Sequence, residues 1–208
     1  GKYRFISPNV VSIKMENLQE NAQYHINDLN YCVTDKADGA GHILFKVGLD
    51  HMKTEYQDKY SYLKNRIFLI DNNLTIHDVD YKCVDGDDNM SILLNGEYLN
   101  YNKHQEPINT YLIYDAYYYG RDICQLNLMD DETDSITENR LSFAQKFCDT
   151  FIADESKEIG TGINEIISVE VKKFYKTTAT DDIFSQTNKI WQIKDTFDYN
   201  LDGVIYTP

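Results

Sequence analysis

The side chain best suited to covalent chemistry is Lys36, in the run Thr34-Asp-Lys36-Ala-Asp38-Gly39 that follows directly on apolar residues. A lysine at the end of a strand, before a turn tightened by glycine, is poised to project into a cleft. Its amine is a nucleophile once it has lost its proton. With Asp35 and Asp38 as neighbours, freeing that lone pair calls for a bound divalent metal or a further cation nearby. The bland alternative is an ordinary Lys-Ala-Asp-Gly turn. Other chemistries lack their residues. The four cysteines (Cys32, Cys83, Cys124, Cys148) are far apart and form no Cys-x-x-Cys, so zinc is not expected and a reducing, intracellular compartment is the simpler reading. The five histidines form no His-Glu-x-x-His. Asp78, Asp80, Asp85, Asp87 and Asp88 lack the glycine and glutamate of an EF-hand loop, which leaves a solvated turn. Asp130 to Asp134 reads as an exposed loop entering a helix. Asn73-Leu-Thr75 and Asn89-Met-Ser91 fit the glycosylation pattern but carry no meaning without a secretory route.

The elements that must hold Lys36 are mainly strands. Tyr31 to Thr34 and Ile43 to Val47 are short apolar-rich runs. Arg66 to Asp71 and Leu74 to Val79 flank Asn72-Asn73, a two-residue hairpin turn. Ser91 to Leu94 and Thr110 to Tyr119 continue the β pattern. Two helices follow. Ser135-Ile-Thr-Glu138 is a capping-box pattern, after which Leu141, Ala144, Phe147, Cys148 and Phe151 recur at helical spacing. Asp181 to Ile193 places Ile183, Phe184, Ile190 and Trp191 at compatible spacing, with Thr180 as N-cap. Between them Asn164 to Lys172 alternates. Ile167, Val169 and Val171 point one way, and Ser168, Glu170 and Lys172 the other. Gly203 to Tyr206 is a last short strand. Antiparallel strands with two helices inserted late predict an α+β fold.

The 208 residues suffice for one sizeable core, and no repeat or linker divides them, so a single domain is expected. No run approaches 18 apolar residues and Gly1 to Asn9 has no apolar core, so neither a membrane span nor a signal peptide is predicted. Twenty basic against 34 acidic residues give a net charge of −14. That disfavours long, sequence-independent nucleic-acid tracks, yet a small anionic substrate can be held where a few lysines converge and metal helps. Abundant Asn, Ile, Lys and Tyr with scarce Pro suggest AT-rich coding sequence.

Lys36-Ala-Asp38-Gly39 is followed in order by Leu94-Asn-Gly96-Glu97, Leu112-Ile-Tyr114-Asp115, Lys172-Lys-Phe174-Tyr175 and Asp202-Gly203-Val-Ile205. This series resembles the covalent nucleotidyltransferases: mRNA capping guanylyltransferases and ATP- or NAD-dependent polynucleotide ligases. Their signature is KxDG, a Gly-Glu strand end, an aromatic-Asp pair, a lysine strand and an acid-Gly-Val/Ile strand. The resemblance covers nearly the whole chain. Asp202-Gly-Val-Ile-Tyr-Thr-Pro208 and Lys172-Lys-Phe-Tyr175 are more similar to capping enzymes than to ligases. Val33 to Gly39 and Pro8-Asn-Val-Val-Ser12 look like the poxvirus-type capping enzymes of large DNA viruses. Gly41 stands where the family often has arginine, and Asn95 where aspartate is common before Gly-Glu.

The resemblance implies an α+β nucleotidyltransferase domain whose antiparallel sheets and flanking helices form a nucleotide cleft. It implies that Lys36 attacks the α-phosphate of GTP, giving a lysyl-GMP that passes to the 5′-diphosphate end of RNA, with Mg²⁺ or Mn²⁺ as cofactor. Asp202 is the first metal ligand, with a turn aspartate as the alternative. Glu97 joins the metal or takes the ribose hydroxyls, against a surface strand-end glutamate. Tyr114 stacks on guanine, although with 17 tyrosines core packing suits it nearly as well, and Asp115 beside it is also implied at the nucleotide. Lys172 donates to guanine O6 and Lys173 faces outward. Asp38 and Gly39 border the nucleotide and shape the turn, the glycine by an unusual φ. The expected partners are GTP and RNA, with no membrane, and further triphosphatase or methyltransferase domains in a parent protein. A lysine-rich fifth motif and an OB-fold lid are expected downstream, and without them weak GTP binding and a slow adduct. The expected location is cytoplasmic, in host cytoplasm or virion if viral. Two readings compete: a ligase adenylation domain, and a degenerate domain kept as a binding module.

Overall fold

Most of the apolar runs form strands, and the longer ones are buried along consecutive residues rather than on one face alone. In the computed structural model the described residues are 11–14, 18, 26, 31–50, 52–79, 82–83, 89–130, 138–152, 168–178 and 180–208. They form an α+β structure in two compact units, one holding residues 39–171 and the other residues 8–38 and 172–208, besides residues 1–7, which lie outside the described residues.

The larger unit is built on a six-stranded sheet. β2 (Ala40–Lys46), β3 (Ile67–Asp71), β4 (Ile76–Val79), β6 (Ile92–Tyr101), β7 (Pro107–Tyr119) and β9 (Ser168–Val171) lie in the order β4-β3-β2-β6-β7-β9. Every neighbouring pair is antiparallel except β7–β9, which is parallel. The sheet is therefore mixed, where antiparallel sheets were expected. The reason lies in α2 (Arg140–Thr150), which stands between the two strands in sequence and packs on both. Parallel neighbours need such a crossover. The core gathers Leu44, Ile67, Leu69, Leu94, Tyr111 and Ile113 from the sheet with Phe143, Ala144 and Phe147 from α2. β5 (Lys82–Cys83) and β8 (Phe151–Ile152) pair separately, so Phe151 leaves the helix expected to contain it.

In the smaller unit β1 (Cys32–Ala37) lies between β10 (Tyr175–Lys176) and β11 (Leu201–Thr207), antiparallel to both. α3 (Ile183–Gln192) covers this sheet with Ile183 and Ile190 against Val33. Its buried residues are Ile183, Gln186, Thr187 and Ile190, an i, i+3, i+4, i+7 stripe, and Phe184 and Trp191 are exposed instead.

Local chemistry moves several boundaries. The cap of α3 is Asp182, whose carboxylate accepts from the Ser185 amide at 2.7 Å, and not Thr180. The cap of α2 is Asn139, whose Oδ1 accepts from the Ser142 amide at 2.8 Å while its own amide donates back to Ser142 Oγ at 3.1 Å. That reciprocal pair does the work expected of Ser135 and Glu138. Ser135 lies outside the described residues, as do Asp80, Asp85, Asp87, Asp88, Asp131, Asp134 and residues 8–10 and 164–167. The β3–β4 hairpin closes at Asp71–Thr75 around three residues, with Leu74 at φ +64°, because Asp71 Oδ1 accepts from both the Asn73 and Thr75 amides at 2.8 Å. Among the described residues no helix is long and apolar enough to cross a membrane.

Candidate functional site

Two neighbouring strands of the smaller unit bring Lys36 and Asp202 together. In the β1–β11 register Lys36 faces Gly203 and Ala37 faces Leu201, which leaves Asp202 as the extra residue of a β-bulge. Gly203 has φ +129°, a conformation that side chains other than hydrogen rarely allow. A bulge turns its extra side chain out of the ordinary alternation. Here the Asp202 carboxylate meets the Lys36 ammonium in an ion pair, with the two side chains 33% and 60% exposed. Both ends of the pair are thus within reach of a ligand arriving from solvent. Lys36 lies inside β1, one residue before its end, and Asp38 is exposed with its amide on the Asn200 carbonyl at 3.0 Å.

One residue earlier the strand does the opposite. Asp35 is buried, and its Oδ2 accepts from Lys172 Nζ at 3.1 Å and from the Tyr199 hydroxyl at 3.1 Å. Thr34 Oγ1 adds a contact to Asp35 Oδ1 at 3.4 Å and donates to the Lys173 carbonyl at 2.8 Å. The Lys172 side chain is wholly buried. β9 ends at Val171, so the strand parity that grouped Lys172 with Ser168 and Glu170 stops one residue short of it. Its ammonium is committed to Asp35. Lys173 is exposed, with its ammonium 5.0 Å from the Tyr175 ring centroid. Asp35 and Tyr199 were missed from sequence, since nothing in a Thr-Asp-Lys run reveals which carboxylate turns inward.

The larger unit carries Gly39, Glu97, Tyr114 and Asp115. Gly96-Glu97 lies mid-strand in β6 and not at a strand end, and Glu97 is buried. Both glycines answer to close approach. A Cβ on Gly39 would stand 2.9 Å from Leu99 Cδ2 and 3.1 Å from the Tyr98 carbonyl oxygen, and the φ of Gly39 is not positive. The expected reason for that glycine is therefore corrected from backbone conformation to space. A Cβ on Gly96 would meet the Leu112 carbonyl oxygen at 2.4 Å and the Tyr111 ring at 2.7 Å. The Tyr111 ring passes there, fully buried, with its hydroxyl on the His42 carbonyl at 2.9 Å.

Bulges recur where the tyrosines are. Asn95 faces Asp115 and Gly96 faces Ile113, so Tyr114 is an extra residue; Leu93 faces Tyr118 and Leu94 faces Ala116, so Tyr117 is another. Both turn to the fully buried Asn95, whose Oδ1 accepts from the Tyr114 hydroxyl at 3.2 Å and whose Nδ2 donates to the Tyr117 hydroxyl at 2.8 Å. Burial, with the Asp115 charge second, pushes the Tyr117 hydroxyl well above its ordinary value. Asp115 itself is gripped by Arg140, with Nε to Oδ1 at 2.7 Å and Nη2 to Oδ2 at 3.3 Å. Burial raises its carboxyl, and the Arg140 fork opposes that only in part. Asp115 is thereby a strut between β7 and α2.

Metal fits this chemistry in one way. Among the described residues no three His, Cys, Asp or Glu gather closely enough to hold an ion by themselves. A hard cation held by one carboxylate and by phosphate oxygens of a nucleotide needs no such cluster. Asp202 offers that one carboxylate beside the Lys36 amine. No family model matches the chain, and no curated protein matches it.

Proposed function

We propose that this chain is the nucleotidyl-transfer part of a capping guanylyltransferase, with Lys36 as nucleophile. The carrying observation is the Lys36–Asp202 contact, made by two motif residues 166 positions apart through a bulge. The Lys36 ammonium first gives up a proton to solvent. The amine then attacks the α-phosphorus of GTP, a P–N bond forms with loss of a second N–H proton to solvent, and the bond to the β-phosphate oxygen breaks to release pyrophosphate. A terminal phosphate oxygen of 5′-diphosphate RNA then attacks the same phosphorus, the nitrogen takes up a proton, and the P–N bond breaks, returning the amine. Mg²⁺ or Mn²⁺, when bound, neutralises charge on the phosphates. Asp202 both steadies the lysine and offers the carboxylate oxygen for that ion.

Tyr114, with its hydroxyl held by Asn95, is the candidate to stack on the base. Asp38 and Gly39 complete the turn after the nucleophile, and Glu97 remains the candidate for ribose or metal from β6. We assign Lys172 a positioning role through Asp35 in place of the base contact, because its side chain is wholly buried in an ion pair. That same observation supports an adenylating ligase as the second reading, since it removes the donor expected to prefer guanine. Radiolabelled GTP and ATP, incubated separately with the natural full-length chain and Mg²⁺ and resolved under denaturing conditions, distinguish them. A label from GTP is the expected result. A label from ATP alone would establish the ligase reading, and no label from either would favour a binding module.

A further inference from the structure

In a chain carrying 20 basic and 34 acidic residues, residues 53–66 are one of the short stretches that reverse the sign. Between Lys53 and Arg66 stand Lys53, Lys59, Lys64 and Arg66 against Glu55 and Asp58 within the stretch, with Arg66 itself paired to Asp78. Three tyrosines, Tyr56, Tyr60 and Tyr62, are interleaved with them. The stretch contributes nothing to the core. α1 (Thr54–Gln57) and the 3₁₀ turn at Ser61–Leu63 bury no residue at all. Tyr62 is 67% exposed and Tyr56 is 46% exposed. Large exposed aromatic rings on a surface segment with no packing role are the informative kind of exposure.

The segment is nonetheless firmly built. The Tyr56 amide donates to Lys53 O at 2.8 Å and the Tyr60 amide to Tyr56 O at 3.0 Å, so Lys53, Tyr56 and Tyr60 follow one side of a helical path. Gln57 ties that path down through the Leu49 and Met52 carbonyls at 3.1 and 2.9 Å. Val47 and Arg66 close its far end. The Tyr56 and Tyr60 centroids are 6.4 Å apart at 39°, so the two rings do not cover each other face to face. The Lys59 ammonium stands 5.2 Å from the Tyr60 centroid.

From this we infer that residues 53–66 form a docking surface for single-stranded RNA, with bases on the tyrosine rings and phosphates on Lys53 and Lys59. Flat rings interleaved with cations are what sequence-tolerant binding of a single strand uses. None of residues 53–66 belongs to the motifs that carry the Lys36 chemistry; only the choice of RNA as the strand rests on the capping reading.

The test is fluorescence anisotropy of a labelled ten-nucleotide oligo(U) RNA with the full chain over a series of salt concentrations. Tyr56→Ala/Tyr62→Ala should weaken binding at least about fivefold. Lys53→Gln/Lys59→Gln should lower the slope of log affinity against log salt by about 1.4, roughly 0.7 for each lysine on a single strand. Both variants should keep the circular dichroism of the parent and label with GTP as it does. A parent that does not bind the oligonucleotide overturns the inference. So does a tyrosine variant that binds like the parent, which is the pattern of diffuse electrostatic attraction. Loss of labelling with RNA binding intact would count against the proposed function and leave this surface standing.

Discussion

Removing one partner of the Asp35–Lys172 pair should be among the most damaging single changes in the smaller unit. The Lys172 side chain is 0% exposed and that of Asp35 4%, with 3.1 Å between charged atoms. At an effective dielectric of about 20, their attraction at 3.1 Å is roughly 5 kcal/mol, and desolvation of the two ions takes back much of it. The net value of the pair is therefore small, whereas a lone buried charge is costly. Asp35→Asn or Lys172→Met alone should each destabilise by about 3–5 kcal/mol. At roughly 2–4 °C per kcal/mol for a chain of this length, that lowers Tm by about 6–20 °C. Asp35→Asn/Lys172→Met should recover most of the loss, because neither charge is then stranded. Thermal unfolding by circular dichroism of all four proteins gives the coupling directly. Single variants within about 1 kcal/mol of the parent, or a double variant as damaged as the sum of the singles, would refute the buried-pair reasoning.

Gly96→Ala should cost about 1–3 kcal/mol, since its Cβ would sit 2.4 Å from a backbone oxygen of β7 that cannot move without opening the sheet; urea unfolding reads it. Asn95→Leu takes a partner from the Tyr114 and Tyr117 hydroxyls, at about 1–3 kcal/mol. By calorimetry it should also weaken GTP binding, as Tyr114→Ala should. His42 is held below its ordinary 6.5 chiefly by burial, with His77 adding to this and the Ala40 carbonyl and Asp71 opposing. Its folded form resists protonation, so stability present above pH 6.5 falls as pH drops from 6.5 through the lower folded value. Urea midpoints at pH 7.5 and 5.5 should differ less in His42→Gln than in the parent.

Period-two alternation and apolar runs were enough to find β1, β2, β3, β4, β6, β7, β9 and β11, and helical spacing found α2 and α3. What alternation cannot carry is an extra residue. Asp202, Tyr114 and Tyr117 all sit at bulges, where one inserted position reverses the expected facing and depends on partners far along the chain. Parity likewise misled at Lys172, because β9 stops at Val171 and a buried carboxylate decides where the ammonium goes. The parallel β7–β9 pair was hidden for another reason: strand direction depends on the crossover through α2, not on the composition of either strand. Caps were read from the right residue types at the wrong place. Asp182 and Asn139 lie nearer the first helical turn than Thr180 and Ser135, and a cap must reach the first free amides. The motif glycines were legible as fixed points, but Gly39 and Gly96 are fixed by Leu99 and Tyr111, residues that no local pattern links to them.

The central claim is that Lys36 forms the bond to the nucleotide. Peptide mapping by mass spectrometry, after incubating the natural full-length chain with GTP and Mg²⁺, tests it most directly. The account predicts GMP as an alkali-stable, acid-labile phosphoramidate on the peptide containing Lys36, and no adduct in Lys36→Ala. An adduct on any other residue, or one that survives Lys36→Ala, would contradict it.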